Sequence, residues 1–105
     1  MSALIIFVTV PNRRAANRLA RALVKERLAA CVSLVPKVES YYRWKGKMER
    51  SSELLLLIKT TSRRYPTLQK RIRTLHSYTV PEILALPVVR GNPEYLAWLE
   101  AAVQL

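Results

Sequence analysis

The chain offers few side chains able to do covalent or metal chemistry: one His (His76), one Cys (Cys31), and seven acids that are all Glu (Glu26, Glu39, Glu49, Glu53, Glu82, Glu94 and Glu100). The lack of Asp excludes Asp-based metal loops and Asp-dependent triads within one chain. A single Cys excludes an intrachain disulfide and Cys-rich zinc modules. One subunit therefore supplies neither a Ser-His-Asp set nor a clearly placed pair of acids, and the expectation is a protein that is not an enzyme. A catalytic set built from Lys59, Tyr78 and Glu82 would have to be shared between subunits. His76 is read either as a lone metal ligand or as a polar helix-end residue favoured by the helix dipole. Cys31, between Ala30 and Val32, is read as a small buried hydrophobe, since a metal ligand would need company. Aromatic residues mixed with a carboxylate and a lysine are the better candidates for a functional surface: the segments Trp44-Lys45-Gly46-Lys47 and Tyr78 to Glu82, together with Lys59.

These groups sit in a chain of 105 residues with 18 Lys+Arg against seven acids, a formal net charge of +11 and 50% hydrophobic residues. The length fits a single domain over 1–105, and the composition is too apolar for a disordered polycation. No segment approaches the ~20 apolar residues of a membrane span. The apolar start over 3–10 is short, lacks preceding basic residues and runs into Pro11-Asn12, so it does not read as a leader. A cytoplasmic protein with a reduced thiol is expected, with no membrane partner.

Hydrophobic patterning supplies the elements that must position the candidates. Residues 3–10 read as a central strand covered on both faces. Asn12 is a plausible cap for a helix whose apolar stripe is Ala15, Ala16, Leu19, Ala20, Leu23 and Val24. Residues 31–44 read as a long strand with Val32, Leu34, Pro36, Val38, Ser40, Tyr42 and Trp44 on one side and Cys31, Ser33, Val35, Lys37, Glu39, Tyr41 and Arg43 on the other. Lys45-Gly46-Lys47 makes a tight turn into a return strand over 48–60. Ser62 is expected to cap a second helix with Tyr65, Leu68, Ile72 and Leu75 inward and Pro66 in its first turn. A fourth strand over 82–89 contains Pro87, and Asn92-Pro93-Glu94 opens a last helix.

The order βαββαβ plus a terminal helix predicts an α+β, ferredoxin-like fold with both long helices on one face of an antiparallel sheet. Fourteen strand residues at ~3.3 Å each would span about 46 Å, while a domain of this length has a radius of gyration of only ~13 Å. The hairpin must project beyond its own domain. A projecting hairpin bearing Tyr41, Tyr42 and Trp44 on an unpaired edge predicts a closed homo-oligomer built by strand addition.

Several stretches carry a further signal: Thr9-Val10-Pro11-Asn12; Arg27-Leu28-Ala29-Ala30-Cys31-Val32; Tyr42-Arg43-Trp44-Lys45-Gly46-Lys47; Leu57-Ile58-Lys59-Thr60; Tyr78-Thr79-Val80-Pro81-Glu82-Ile83; and Gly91-Asn92 with Tyr95-Leu96 and Trp98-Leu99. In this order, over nearly the whole chain, they resemble the CutA family of divalent-cation tolerance proteins. The resemblance implies an interlocked homotrimer, binding of Cu(II) or another divalent cation, a part in metal tolerance and no enzymatic reaction. It also implies a cleft between subunits lined by Tyr42, Trp44, Lys59, Tyr78 and Glu82, residues that could equally serve to lock the trimer. Members credited with a copper site carry a Cys in the first strand and two adjacent His. Here those positions hold Val8 and Leu75-His76, so only His76 remains of the thiolate and imidazole set that suits copper.

The excess charge is concentrated on two segments. The first helix region carries Arg13, Arg14, Arg18, Arg21, Lys25 and Arg27 against Glu26; the segment 59–73 carries Lys59, Arg63, Arg64, Lys70, Arg71 and Arg73 against no acid. Such a face could hold nucleic acid or an acidic partner. However, the strands lack the Gly/aromatic motif of RNA readers with similar topology, and a solvated helical face is the favoured reading over nucleic-acid binding.

Overall fold

The computed structural model describes residues 3–104. Chain order is β1 (Ala3–Val10), α1 (Arg13–Lys25), β2 (Cys31–Trp44), β3 (Lys47–Thr61), α2 (Tyr65–Leu75), β4 (Ile83–Pro87) and α3 (Pro93–Ala102). The four strands form one antiparallel sheet in the order β2-β3-β1-β4. With two crossover helices this is the α+β, ferredoxin-like arrangement expected from the sequence.

Local chemistry sets most of the element ends. Asn12 Oδ1 accepts the Ala15 N–H at 2.8 Å, which satisfies one of the donors left free at the start of α1. Past α1 the chain reverses at Arg27, a non-glycine residue in the left-handed region at φ 58°. The hairpin turn is a two-residue connection, Lys45 (φ 52°) and Gly46 (φ 79°), closed by the Trp44–Lys47 pair. Positive φ at both central positions matches the twist of the flanking strands. Lys47 thus belongs to β3 rather than to the turn. α2 does not use Ser62 as its cap: the cap position is Arg64, with no side-chain cap bond, and the preceding turn is held by backbone bonds from Arg64 N–H to Thr61 O and from Tyr65 N–H to Ser62 O. β4 is shorter than the expected 82–89, spanning Ile83–Pro87, although the Val88 N–H still donates to the Ala3 carbonyl at 3.0 Å.

One sheet face is covered by α1 and α2. Ile6, Val8, Leu56 and Ile58 from the strands meet Leu19, Leu23, Leu68 and Ile72 from the helices, all essentially inaccessible to solvent. Burying a Leu or Ile side chain of this kind is worth roughly 1.5–3 kcal/mol. Val24, expected in the α1 stripe, is 45% exposed, because the stripe that meets the sheet is centred on Ala16, Leu19 and Leu23. The opposite sheet face is covered only at one end, where Leu99 of α3 and its cap residue Val103 seat against Ala3 and Ala30. Elsewhere it presents apolar side chains with no cover from this chain, including Leu84 (57% exposed) and Leu86 (44%).

The strand alternation expected across residues 31–44 breaks in the middle. Val35 pairs with Leu55, and Val38 pairs with Glu53, so three steps along β2 are matched by two along β3. This is a β-bulge, with Lys37 at φ 61° absorbing the extra residue. The bulge inverts the facing of everything beyond it. Val38, Ser40, Tyr42 and Trp44 lie on the sheet face of Cys31, Ser33 and Val35, not on that of Val32 and Leu34 as strict alternation implied.

Beyond Leu54, where pairing with β1 ends, the hairpin continues with no third strand beside it. The molecule measures 44 × 25 × 22 Å with a radius of gyration of 14.2 Å, in keeping with a hairpin that outruns its own core.

Candidate functional site

A cavity of about 790 Å³ opens where the hairpin leaves the sheet. Its walls come from the hairpin (Ser40, Tyr42, Trp44, Glu49, Glu53), the end of β1 (Thr9) and the loop between α2 and β4 (Tyr78 to Glu82). The bulge is what brings Tyr42 and Trp44 here, since it turns them onto the face shared with Glu49 and Glu53.

The α2–β4 loop is fastened to the sheet at two points. His76 donates from Nε2 to the Thr9 carbonyl at 2.8 Å and accepts the Tyr78 N–H at Nδ1 at 3.0 Å, which selects the neutral Nε2–H tautomer. The Tyr78 hydroxyl then donates to Glu53 Oε2 at 2.7 Å, and its ring lies 4.7 Å from the imidazole. Glu53 is only 6% exposed. Partial burial, first, and then the hydrogen bond to the Glu53 carboxylate and the negative charge on it hold the Tyr78 phenol well above the usual tyrosine range. On the hairpin, Tyr42 and Ser51 hydroxyls are 2.7 Å apart, which ties the Tyr42 ring across the strand pair. On the other hairpin face Arg50 pairs with Glu39 at 2.7 Å and lies over the Tyr41 ring at 5.9 Å.

Of the five residues expected in a cleft between subunits, Tyr42, Trp44, Tyr78 and Glu82 line this cavity within one chain. Lys59 lies elsewhere in the same chain, six strand steps, about 20 Å, from Glu53 along β3. Its ammonium instead stands 3.5 Å from Ser33 Oγ and 3.7 Å from Cys31 Sγ. Cys31 is accordingly half-buried beside a cation and a hydroxyl, not enclosed by apolar groups as expected. Glu53 and Glu49 were not singled out from the sequence. The available signal was parity: Glu53 continues the face of Leu57 and Leu55, so a carboxylate falls where an apolar run was due.

A copper centre within one chain does not fit these residues. Both ring nitrogens of His76 are engaged, Val8 is fully enclosed between sheet and helices, and Leu75 packs against the same core. Among the described residues no three His, Cys, Asp or Glu stand close enough to ligate one ion. No helix among them is long and apolar enough to cross a membrane.

Comparison with known proteins agrees with this architecture. The chain is 54% identical over 95 residues to a divalent-cation tolerance protein CutA of Thermus thermophilus, covering 90% of this chain and 92% of the relative. It is 50% identical over 98 residues to a protein CutA of Mus musculus, covering 93% of this chain but 55% of the relative, so it spans about half the length of that protein. The crystal structure of CutA from Xylella fastidiosa superposes with a TM-score of 0.96 at 41% identity, over 99% of this chain and all of the other. Residues 4–102 match the family model for the CutA1 divalent ion tolerance protein, and the chain belongs to that family.

Proposed function

We propose that this chain acts in divalent-metal tolerance as a homotrimer that binds a metal ion or a small ligand at clefts between subunits, without catalysis. The observation that carries the reading is the juxtaposition of an uncovered apolar sheet face and a hairpin with free edges on both sides of the same aromatic cavity. A monomer would leave Leu84, Leu86 and the hairpin edges to aggregate, whereas strand addition by neighbouring subunits covers them. The cavity would then have walls from more than one chain, and a metal ion there would need ligands from more than one chain, since one chain does not supply a set. Copper has no particular claim over other divalent ions, because the thiolate and the second imidazole that would favour it are replaced by Val8 and Leu75. A cytoplasmic location is part of the same proposal.

Light scattering on the purified protein tests the assembly: a mass near 36 kDa, three times 12.1 kDa, is expected, and a monomer at micromolar concentration refutes it. Calorimetry with Zn(II) and Cu(II) on that oligomer tests the metal. Deleting the gene is expected to lower growth at raised divalent-metal concentrations, and unchanged growth argues against the tolerance role.

A further inference from the structure

The helix layer carries nearly all of the molecule's net charge. Segments 13–27 and 63–73, which contain α1, α2 and their flanks, hold eleven Lys and Arg against one Glu, and so account for ten of the eleven net positive charges. That one acid, Glu26, is already engaged: Arg71 grips it through two nitrogens at 2.9 and 3.0 Å. The other six acids lie on the hairpin, in the α2–β4 loop or on α3.

Arg14, Arg18, Arg21 and Lys25 are spaced by four, three and four residues, which places them in one row about 17 Å long. The row is exposed and lies on the side of α1 opposite Ala16, Leu19 and Leu23, which face the sheet. On α2, Lys70 and Arg73 are exposed on the side away from Leu68 and Ile72. Like charges at these spacings repel along a helix, and a face that is only solvated, as the sequence alone favours, gains from interspersed acids. Neither helix contains one. Both also begin with cations where the dipole favours anions: Arg13 and Arg14 fill the first turn of α1, and Arg64 is the cap residue of α2. Repulsion along the rows and at both helix starts is offset by a bound polyanion.

The surroundings of the rows select among polyanions. Single strands are held by base stacking on aromatic rings, and α1 and α2 expose none, since Tyr65 packs against the core. Val24 is the one large apolar side chain exposed on these helices among the described residues. The face therefore lacks both the anchors of a protein interface and the apolar side that a membrane-lying helix sinks into lipid. Four of the six row residues are Arg, which takes a phosphate through two parallel bonds. The subunit contacts proposed above use the opposite sheet face and the hairpin edges, so the helix layer stays outward in a single chain and in an assembly. We propose that the α1–α2 face binds the phosphate backbone of double-stranded nucleic acid without reading its bases.

A labelled random-sequence duplex of about 20 base pairs, once as DNA and once as RNA, is titrated with the full chain and read by anisotropy in about 150 mM salt, where loose attraction is screened. Micromolar binding to at least one is expected, and the tighter of the two names the source. Affinity should fall with salt at a log–log slope of about −5, as for roughly six phosphate contacts. Arg14→Gln, Arg18→Gln and Arg21→Gln combined should weaken binding at least about tenfold and reduce the slope by about 3. The same three positions changed to Lys should keep the slope, which separates lost charge from a damaged helix. Removing three exposed charges elsewhere, by Arg43→Gln, Lys47→Gln and Arg90→Gln, should alter binding less than about twofold. Absence of duplex binding at about 100 μM protein in this salt overturns the proposal. Equal weakening by the Arg43, Lys47 and Arg90 changes overturns it too, as general charge attraction. Tighter binding to a single-stranded oligonucleotide, or to phosphatidylcholine vesicles containing phosphatidylserine, would give the face another partner and likewise overturn it.

Discussion

Replacing Tyr78 with Phe removes one oxygen from the bond that joins the α2–β4 loop to β3. The lost contact is a 2.7 Å hydrogen bond from a neutral hydroxyl to a carboxylate that is 6% exposed. Bonds to charged groups contribute about 1.5–3 kcal/mol, and the open cavity beside Glu53 lets water replace part of this one, which places the cost near the lower end, about 1.5 kcal/mol. For a domain of this size that is a fall in Tm of roughly 6 °C, read at one fixed protomer concentration so that assembly does not confound it. Glu53→Gln in the Tyr78→Phe background relieves the uncompensated charge, so the double-mutant cycle should show a coupling of at least about 0.5 kcal/mol. The pH dependence gives a second reading. An unfolded Tyr ionises near pH 10, whereas the folded Tyr78 ionises well above that, so its contribution is complete below about pH 10 and is lost as pH rises through the folded value. Above pH 10 the native protein should lose stability more steeply than Tyr78→Phe. A Tyr78→Phe protein within about 0.5 kcal/mol of the parent, with no coupling to Glu53, would refute the assignment of this bond as the loop's fastening.

Other expectations follow from backbone and surface features. Gly46→Ala has open space for its new methyl but must keep φ at +79°, so it should cost about 1 kcal/mol, seen in chemical denaturation. Arg27→Gly relieves a non-glycine residue at φ 58° and should raise stability by about 0.5–1 kcal/mol, the gain in strain less the entropy of glycine. Arg71→Ala breaks a two-pronged contact with Glu26 across α1 and α2, but the pair is more than a third exposed, so the loss should be about 0.5 kcal/mol and should shrink further at high salt. Deleting Lys37 removes the bulge and turns Tyr42 and Trp44 to the other face of the hairpin; Trp44 emission should then cease to respond to any cavity ligand, and a retained response would refute the account of the bulge.

Much of the fold was legible because its signals were periodic and local. The helical spacing of Ala16, Leu19 and Leu23, the Asn12 and Asn92 caps, and the Gly46 turn each predict their element, and the length of 31–44 alone predicts a hairpin that outruns its domain. What failed was facing. A bulge has no mark in a sequence read by strict alternation, since Pro36-Lys37 is compatible with either parity, and everything distal to it was assigned to the wrong side. The same error hid Glu53 and Glu49, which join the cavity only because the bulge places Tyr42 and Trp44 on their face. Lys59 shares a strand and a face with Glu53, but within one chain about 20 Å of strand sets it apart from the other four residues, so a cleft holding all five takes its walls from a second chain.

The two most reactive side chains of this chain are both engaged in contacts within the fold. His76 has both nitrogens committed to holding a loop, and Cys31 shares its surroundings with Lys59 and Ser33. Neither is available as a ligand without breaking a contact that the fold uses. The carboxylates differ in this respect. Removing Glu26 loosens α1 from α2, but Glu49, Glu53 and Glu82 line the cavity without a salt-bridge partner among the described residues, Glu53 accepting the Tyr78 hydroxyl. In a chain of net charge +11 this concentration of negative charge against aromatic walls opposes what general electrostatics would produce. The loop carrying Tyr78 is held to the sheet through His76 and the Tyr78–Glu53 bond, so it should be the first part of the cavity to open on heating, read as early loss of amide protection over 77–82.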